Sequence, residues 1–193
     1  MTAPHDHGPA WGEAWCGHLI CARTPHFEQD IPEEQWPDQF RLQGRDRTHW
    51  SHRTCGLACL MSVSSFHGRA VPPIFELLQE GVGSGYYTSK GWIHAGLASL
   101  GAAYGLRGEA RPASTIDDLR SCLEATGGPL IASVALRFPE DGRRGGHLVV
   151  VTAVGEGPAA RICIRDPSSW GEEDSIPAAR FSASYSGRVV IFQ

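Results

Sequence analysis

Thr54-Cys55-Gly56-Leu57-Ala58-Cys59-Leu60-Met61-Ser62-Val63-Ser64-Ser65-Phe66 is the stretch on which the fold turns. Wound as a helix from Cys55 to Phe66, it carries apolar side chains on nearly every side. Leu57, Leu60 and Met61 share one face, and Cys59, Val63 and Phe66 another. A helix that is apolar all round is a buried central helix, so the rest of the chain is expected to wrap around it. Cys55 stands in its first turn, where backbone N–H groups lack intrahelical partners and the helix dipole is positive.

Downstream of this helix the signals are helical first and strand-like later. Pro72-Pro73 predicts a short helix through Leu77 and Leu78, with proline in the first turn where its missing N–H costs nothing. Gly81-Val82-Gly83-Ser84-Gly85 reads as a turn or lid, because it lacks the Gly-Lys-Ser/Thr ending of a phosphate-binding loop. Ser89 to Leu100 has helical spacing, with Ile93, Leu97 and Leu100 on one side. Ser114 or Thr115 is placed to cap a further helix, with Asp117 and Asp118 in its first turn and Gly127-Gly128-Pro129 at its end. Strand patterns follow at Leu130–Leu136, His147–Val154, Arg161–Arg165 and Arg188–Phe192. Helices followed by antiparallel strands make an α+β fold.

The chain has 193 residues, enough for one full core and too few for a second independent domain. A single domain is expected over residues 13–193, preceded by a mobile tail over 1–12. Residues 13–50, rich in Trp and Pro, are expected to be irregular structure wrapped onto the body. A net charge of -4 and the lack of a basic stripe argue against a nucleic-acid partner, and a hydrophobic fraction of 41% argues against disorder. Residues 1–12 lack the basic start and apolar stretch of a signal peptide, and no run is long enough to span a membrane. The expected compartment is the cytoplasm, with the cysteines mostly free thiols. No cofactor is expected, and the oligomeric state is left open.

Chemistry is suggested by the order Cys55, His147, Asp166. His147 opens Gly145-Gly146-His147-Leu148-Val149-Val150-Val151, and Asp166 closes Ile162-Cys163-Ile164-Arg165-Asp166-Pro167. A thiol at a helix start, an imidazole to take its proton and a carboxylate to orient the ring make an activated cysteine nucleophile. The strand pattern supports the pairing. If Gly155-Glu156-Gly157-Pro158 is the whole loop, Val154 lies opposite Ala159 and His147 directly opposite Asp166. Directly opposed residues share a face, with Cβ atoms about 4.5–5.5 Å apart; a one-residue slip would separate them. Gly56 would let a substrate backbone approach, and the backbone N–H of Cys55 would form half of an oxyanion hole. Cys59, Cys122 and Cys163 read as structural, and Cys55 is the one cysteine expected to alkylate rapidly, because it stands at a helix start beside a candidate imidazole that the other five lack. Cys16, His18, Cys21 and His26 match no common zinc spacing, so no metal site is expected.

At these residues the chain resembles the C39-like branch of the papain-fold cysteine peptidases. The likeness rests on residues 54–61, 145–151 and 164–167, with weaker echoes in Gly91-Trp92-Ile93-His94-Ala95-Gly96-Leu97 and Tyr185-Ser186-Gly187-Arg188-Val189-Val190-Ile191. The resemblance implies a papain-like fold, a nucleophile helix packed on an antiparallel sheet, and Cys55, His147 and Asp166 as nucleophile, general base and orienting partner. It implies a hydrolase that cleaves a peptide or peptide-like amide through a thioester, an acyltransferase using the same triad, or a catalytically silent peptide binder. The family usually carries Gln six residues before the nucleophile as an oxyanion donor. That place holds His49, whose ring N–H is the expected replacement; Ser51, His52 or water is the alternative. Gly56, Gly146 and Trp50 are the expected substrate contacts.

Overall fold

A computed structural model describes residues 16–168 and 174–193; of residues 16–18 only the backbone is described. The expected tail over 1–12 lies outside them. Residues expected to be irregular instead hold two short helices, α1 (Cys16–Arg23) and α2 (Arg47–Ser51), with a 3-10 turn at Glu33–Gln35 between them. Asp46 starts α2 by accepting the His49 N–H on its carboxylate. The central helix is α3 (Cys55–Phe66), with every residue buried except Met61 and Ser65. Next comes α4 (Ile74–Gly83), which runs on through the expected loop at Gly81–Gly83.

The segment read as a helix from Ser89 divides in two. A small hairpin, β1 (Tyr87–Thr88) and β2 (Gly91–Trp92), precedes α5 (His94–Ala103). Gly91 at φ +99° lets the hairpin turn back on itself. Ile93, expected on the buried side, is exposed just ahead of α5. After β3 (Gly108–Pro112), α6 (Ile116–Thr126) opens with a reciprocal capping box. Asp118 N–H bonds Thr115 Oγ1, and Thr115 N–H bonds the Asp118 carboxylate. β4 (Leu130–Val134), β5 (His147–Val154), β6 (Arg161–Arg165), β7 (Ser175–Pro177), α7 (Ala178–Ser184) and β8 (Tyr185–Phe192) complete the chain.

The main sheet has six strands in the order β3-β8-β4-β5-β6-β7, and its neighbours are antiparallel. Alternation along β5 divides the core. Leu148 and Val150 face α3, α4 and α5, whereas Val149 and Val151 join Leu119, Leu123 and Phe181 from α6 and α7. Covered on both faces, β5 is buried along its whole length, which is why it reads as a continuous apolar run. Helix α3 thus packs on an antiparallel sheet, and the expected α+β architecture holds.

The register between β5 and β6 corrects the sequence reading. The loop runs over residues 155–160, and Val154 pairs with Ile162 rather than Ala159. Thr152 is an extra residue on β5, a bulge between the pairs Val151–Ile164 and Ala153–Cys163. Carried past Val150–Arg165, the register sets Asp166 opposite Val149, diagonal to His147. Diagonal neighbours share a face and lie within reach of long side chains. Without the bulge the two would fall on opposite faces.

Candidate active site

Three side chains converge where α3 and β5 begin and β6 ends. Cys55, His147 and Asp166 are 8%, 5% and 6% exposed. His147 Nε2 meets Asp166 Oδ1 at 2.8 Å, and the Cys55 thiol lies near enough to the same ring to act on its ionisation. With Nε2 committed to the carboxylate, Nδ1 is the nitrogen left for the thiol. Tandem glycines set this up: Gly145 at φ +75° and Gly146 at φ +93° swing the chain into β5 so that His147 is its first residue.

Electrostatics follow from the packing. Burial by itself would push the His147 imidazole down, but its hydrogen bond to Asp166 and the nearby Cys55 thiol raise it to about 9. Burial would likewise raise Asp166, but the His147 ring and the Ser168 N–H, at 2.9 Å from Oδ1, hold it below the usual carboxylate range. At neutral pH the pair is therefore imidazolium and carboxylate. Cys59, one turn along α3, is the opposite case: fully buried and within 3.4 Å of the Leu148 carbonyl, its thiol is pushed well above the ordinary value.

Cys55 and His147 open onto a cleft of about 510 Å³, whose walls include Gln29, Arg53, Trp92 and Gly146. Of the expected site residues beyond the triad, Gly146 reaches it, as does His52, named as an alternative donor; Gly56, Trp50 and His49 do not. Gly56 faces the core, where a Cβ would meet Leu148, Leu97 and Trp92 at 3.0–3.1 Å; its missing side chain lets those residues close on α3. Trp50 is 1% exposed, donates Nε1–H to the Leu42 carbonyl and packs edge-on to Tyr87. His49 does not line the cleft either. Its ring stands edge-on to Trp50, and its backbone is held by Asp46 and by Arg53, which donates to the His49 carbonyl. His49 stands in the short helix capped at Asp46, outside the lining of the cleft.

Gln29 stands in the cleft instead, from a segment whose sequence offers no periodicity to place it. It is 9% exposed, and its Oε1 is buried with no hydrogen-bond partner, which leaves the amide NH₂ as the end toward the cleft. The strand-like arm around it is clamped from several sides. Gln29 N–H donates to the Pro167 carbonyl at 2.8 Å, and Thr54 Oγ1 donates to the Gln29 carbonyl. Ile31 N–H donates to Ser51 Oγ at 3.1 Å, and His26 Nε2 meets the Asp166 carbonyl at 2.6 Å. The signal that could have found it is residue type alone: a glutamine, far upstream, tied to the loop beside the nucleophile.

The other cysteines depart from their expected inertness at one place. Arg165 donates to Cys21 Sγ at 3.2 Å. The Cys163 thiol, with Thr152 and Arg165, holds Cys21 down at about 5 against the opposing effect of burial, and Cys163 itself is raised. Cys21, outside the cleft, is thus a thiol that ionises easily. The side chains of Cys16 and His18 lie outside the described residues.

Among solved structures, the chain is similar to the peptidase domain of Streptococcus ComA, a bi-functional ABC transporter involved in a quorum sensing pathway. Identity is 20% and the TM-score 0.55, over 73% of this chain and 91% of that one. It is also similar to a double glycine motif protease from an AMS/PCAT transporter, solved in complex with the leader peptide, at 21% identity and TM-score 0.48, over 72% and 82% of the two chains. No protein-family model and no curated protein matches it. With a buried helix on an antiparallel sheet and this likeness to ComA, the chain has the papain-like α+β fold of C39-type peptidase domains.

Proposed function

We propose that this protein is a thiol-dependent hydrolase that cleaves a peptide or peptide-like amide through a thioester on Cys55. The observation that carries this reading is the pair His147–Asp166, hydrogen-bonded at 2.8 Å, with Cys55 and His147 together lining one cleft. Cys55 Sγ, its proton taken up by His147, attacks the amide carbonyl, forming the C–S bond as the carbonyl π electrons move onto oxygen. Two donors face that oxygen: the backbone N–H of Cys55, unpaired because it starts α3, and the side-chain NH₂ of Gln29. Fixed donors aimed at a developing oxyanion are the largest single source of rate in acyl transfer. The His147 imidazolium gives its proton to the leaving nitrogen as the C–N bond breaks. The neutral ring then takes a proton from water, whose oxygen attacks the thioester, releasing the acid and restoring the thiol. Asp166 holds the ring in one orientation and tautomer throughout.

Cleavage of a combinatorial peptide-amide library, read by mass spectrometry with Cys55→Ala as the blank, tests the reading. Products that need Cys55, His147 and Asp166 together support it. Equal cleavage by the Cys55→Ala variant, or none by any form, contradicts it.

A further inference from the structure

The charge of the cleft is opposite in sign to that of the molecule. The chain carries a net charge of -4, with 21 Asp and Glu, yet among the described residues none of these lines the cleft. Arg53 and Lys90 do. Lys90 is the only lysine of the chain and sits exposed at the turn of the β1–β2 hairpin, where its N–H is held by Thr88 Oγ1 at 3.2 Å. Arg53 is half-buried two residues before the nucleophile. Its guanidinium donates to the His49 carbonyl at 2.9 Å and bonds the Tyr87 side chain, so its position is fixed by neutral partners and its charge is met by no carboxylate in any described ion pair. The hairpin is tied to the same place, because Trp92 Nε1–H donates to the Arg53 carbonyl at 2.6 Å. The Arg53 guanidinium and the backbone of the Lys90 turn are therefore tied in place on the cleft that Cys55 lines. Walls of one sign over a low-dielectric interior concentrate the field and draw in ligands of the other sign.

We propose that the substrate carries a carboxylate close to the amide that Cys55 attacks, and that Arg53 and Lys90 receive it. The inference rests on the hydrolase reading above and specifies the substrate of that site as an acidic peptide or peptide-like amide. Arg53, whose planar fork suits a carboxylate, orients the group at close range. Lys90, on a turn, attracts it from the mouth of the cleft.

Two alkylating reagents of nearly equal size test this without knowledge of the substrate. Iodoacetate is an anion and iodoacetamide is neutral. Their rate ratio at Cys55, resolved from Cys21 by peptide mapping and referred to β-mercaptoethanol, measures how the cleft treats a carboxylate. The His147 imidazolium also attracts an anion, so the diagnostic quantity is the change in ratio among variants. Arg53→Gln and Lys90→Gln are each expected to lower it about threefold at low salt, the worth of one charge acting across several ångströms of wet cleft. Lys90→Glu should lower it further, and salt near ~0.5 M should erase most of the difference. An unchanged ratio in all three variants overturns the inference while leaving Cys55 as nucleophile. Failure of both reagents to label Cys55 overturns the nucleophile itself, a separate result. Protection of Cys55 from iodoacetamide by millimolar acetylated peptides then locates the carboxylate. Glu over Gln peptides indicates a side chain, free acid over amide indicates a chain end, and no preference in either comparison contradicts the proposal.

Discussion

At the scale of single residues, the site exchanges one expected donor for another. His49 occupies the position where the resemblance expects glutamine, but its ring packs on Trp50. Gln29 arrives from the arm with an unpartnered buried amide oxygen and lines the cleft that Cys55 lines. Gln29→Ala is expected to lower kcat by roughly 10²–10³, the usual cost of one oxyanion donor, while His49→Ala should cost less than about threefold on the scale of a surface change. Steady-state rates of the two variants on one substrate decide between them, and the reverse ranking would restore His49. Cys21 carries a second expectation. Held near 5 by Cys163 and Arg165, it should label alongside Cys55 in a brief iodoacetamide pulse at neutral pH, whereas the fully buried Cys59 should not. Arg165→Ala should slow labelling at Cys21, and peptide mapping reads all three.

At the scale of elements, the Thr152 bulge decides whether a site exists. It shifts β5 by one residue against β6 and so brings His147 and Asp166 to one face. Deleting Thr152 is expected to leave a folded protein by circular dichroism but to abolish turnover, because the two side chains then point to opposite faces. Retained activity would mean that the strands slip back into register. The sequence showed the partners but not this route. A three-residue error in the assumed partner of Val154 and an unseen one-residue bulge left a net shift of two, which preserved the shared face; bulges carry no periodicity signal. The buried α3, the strands β5 and β6, and the α6 cap were legible because each has a strong local signature. Thr115→Ala should accordingly cost about 1 kcal/mol in urea unfolding. The β1–β2 hairpin was lost inside an apparently helical spacing, where Gly91 gave the only local cue against a helix. α1, α2 and the Gln29 arm were illegible for a different reason: they are held by long-range contacts such as Arg165 with the Cys21 carbonyl and Gln29 with Pro167, which no window of sequence contains.

At the scale of the whole molecule, folding and chemistry share the same protons. Folding raises His147 from 6.5 to about 9, so the stabilisation from its protonated ring is complete below pH 6.5 and is lost as pH rises through 9. Asp166 is depressed from 3.8, so its contribution is present above that value and is lost as pH falls below it. Urea midpoints should therefore be highest between about pH 4 and 6.5 as far as this pair is concerned, with an alkaline decline that Asp166→Asn flattens. An identical decline in the variant would separate the pair from stability. The central claim is that these shared protons serve a nucleophile at Cys55, and the most direct measurement is acylation of that sulfur. A peptidyl p-nitrophenyl ester, mixed briefly with the protein and quenched in acid, leaves any thioester intact for mass spectrometry and peptide mapping. The acyl mass is expected on Cys55, to vanish from it in His147→Ala, and to persist on Cys21 in that variant if Cys21 reacts at all. An acyl mass on Cys21 with none on Cys55, or Cys55 acylation that survives loss of His147, would contradict the claim.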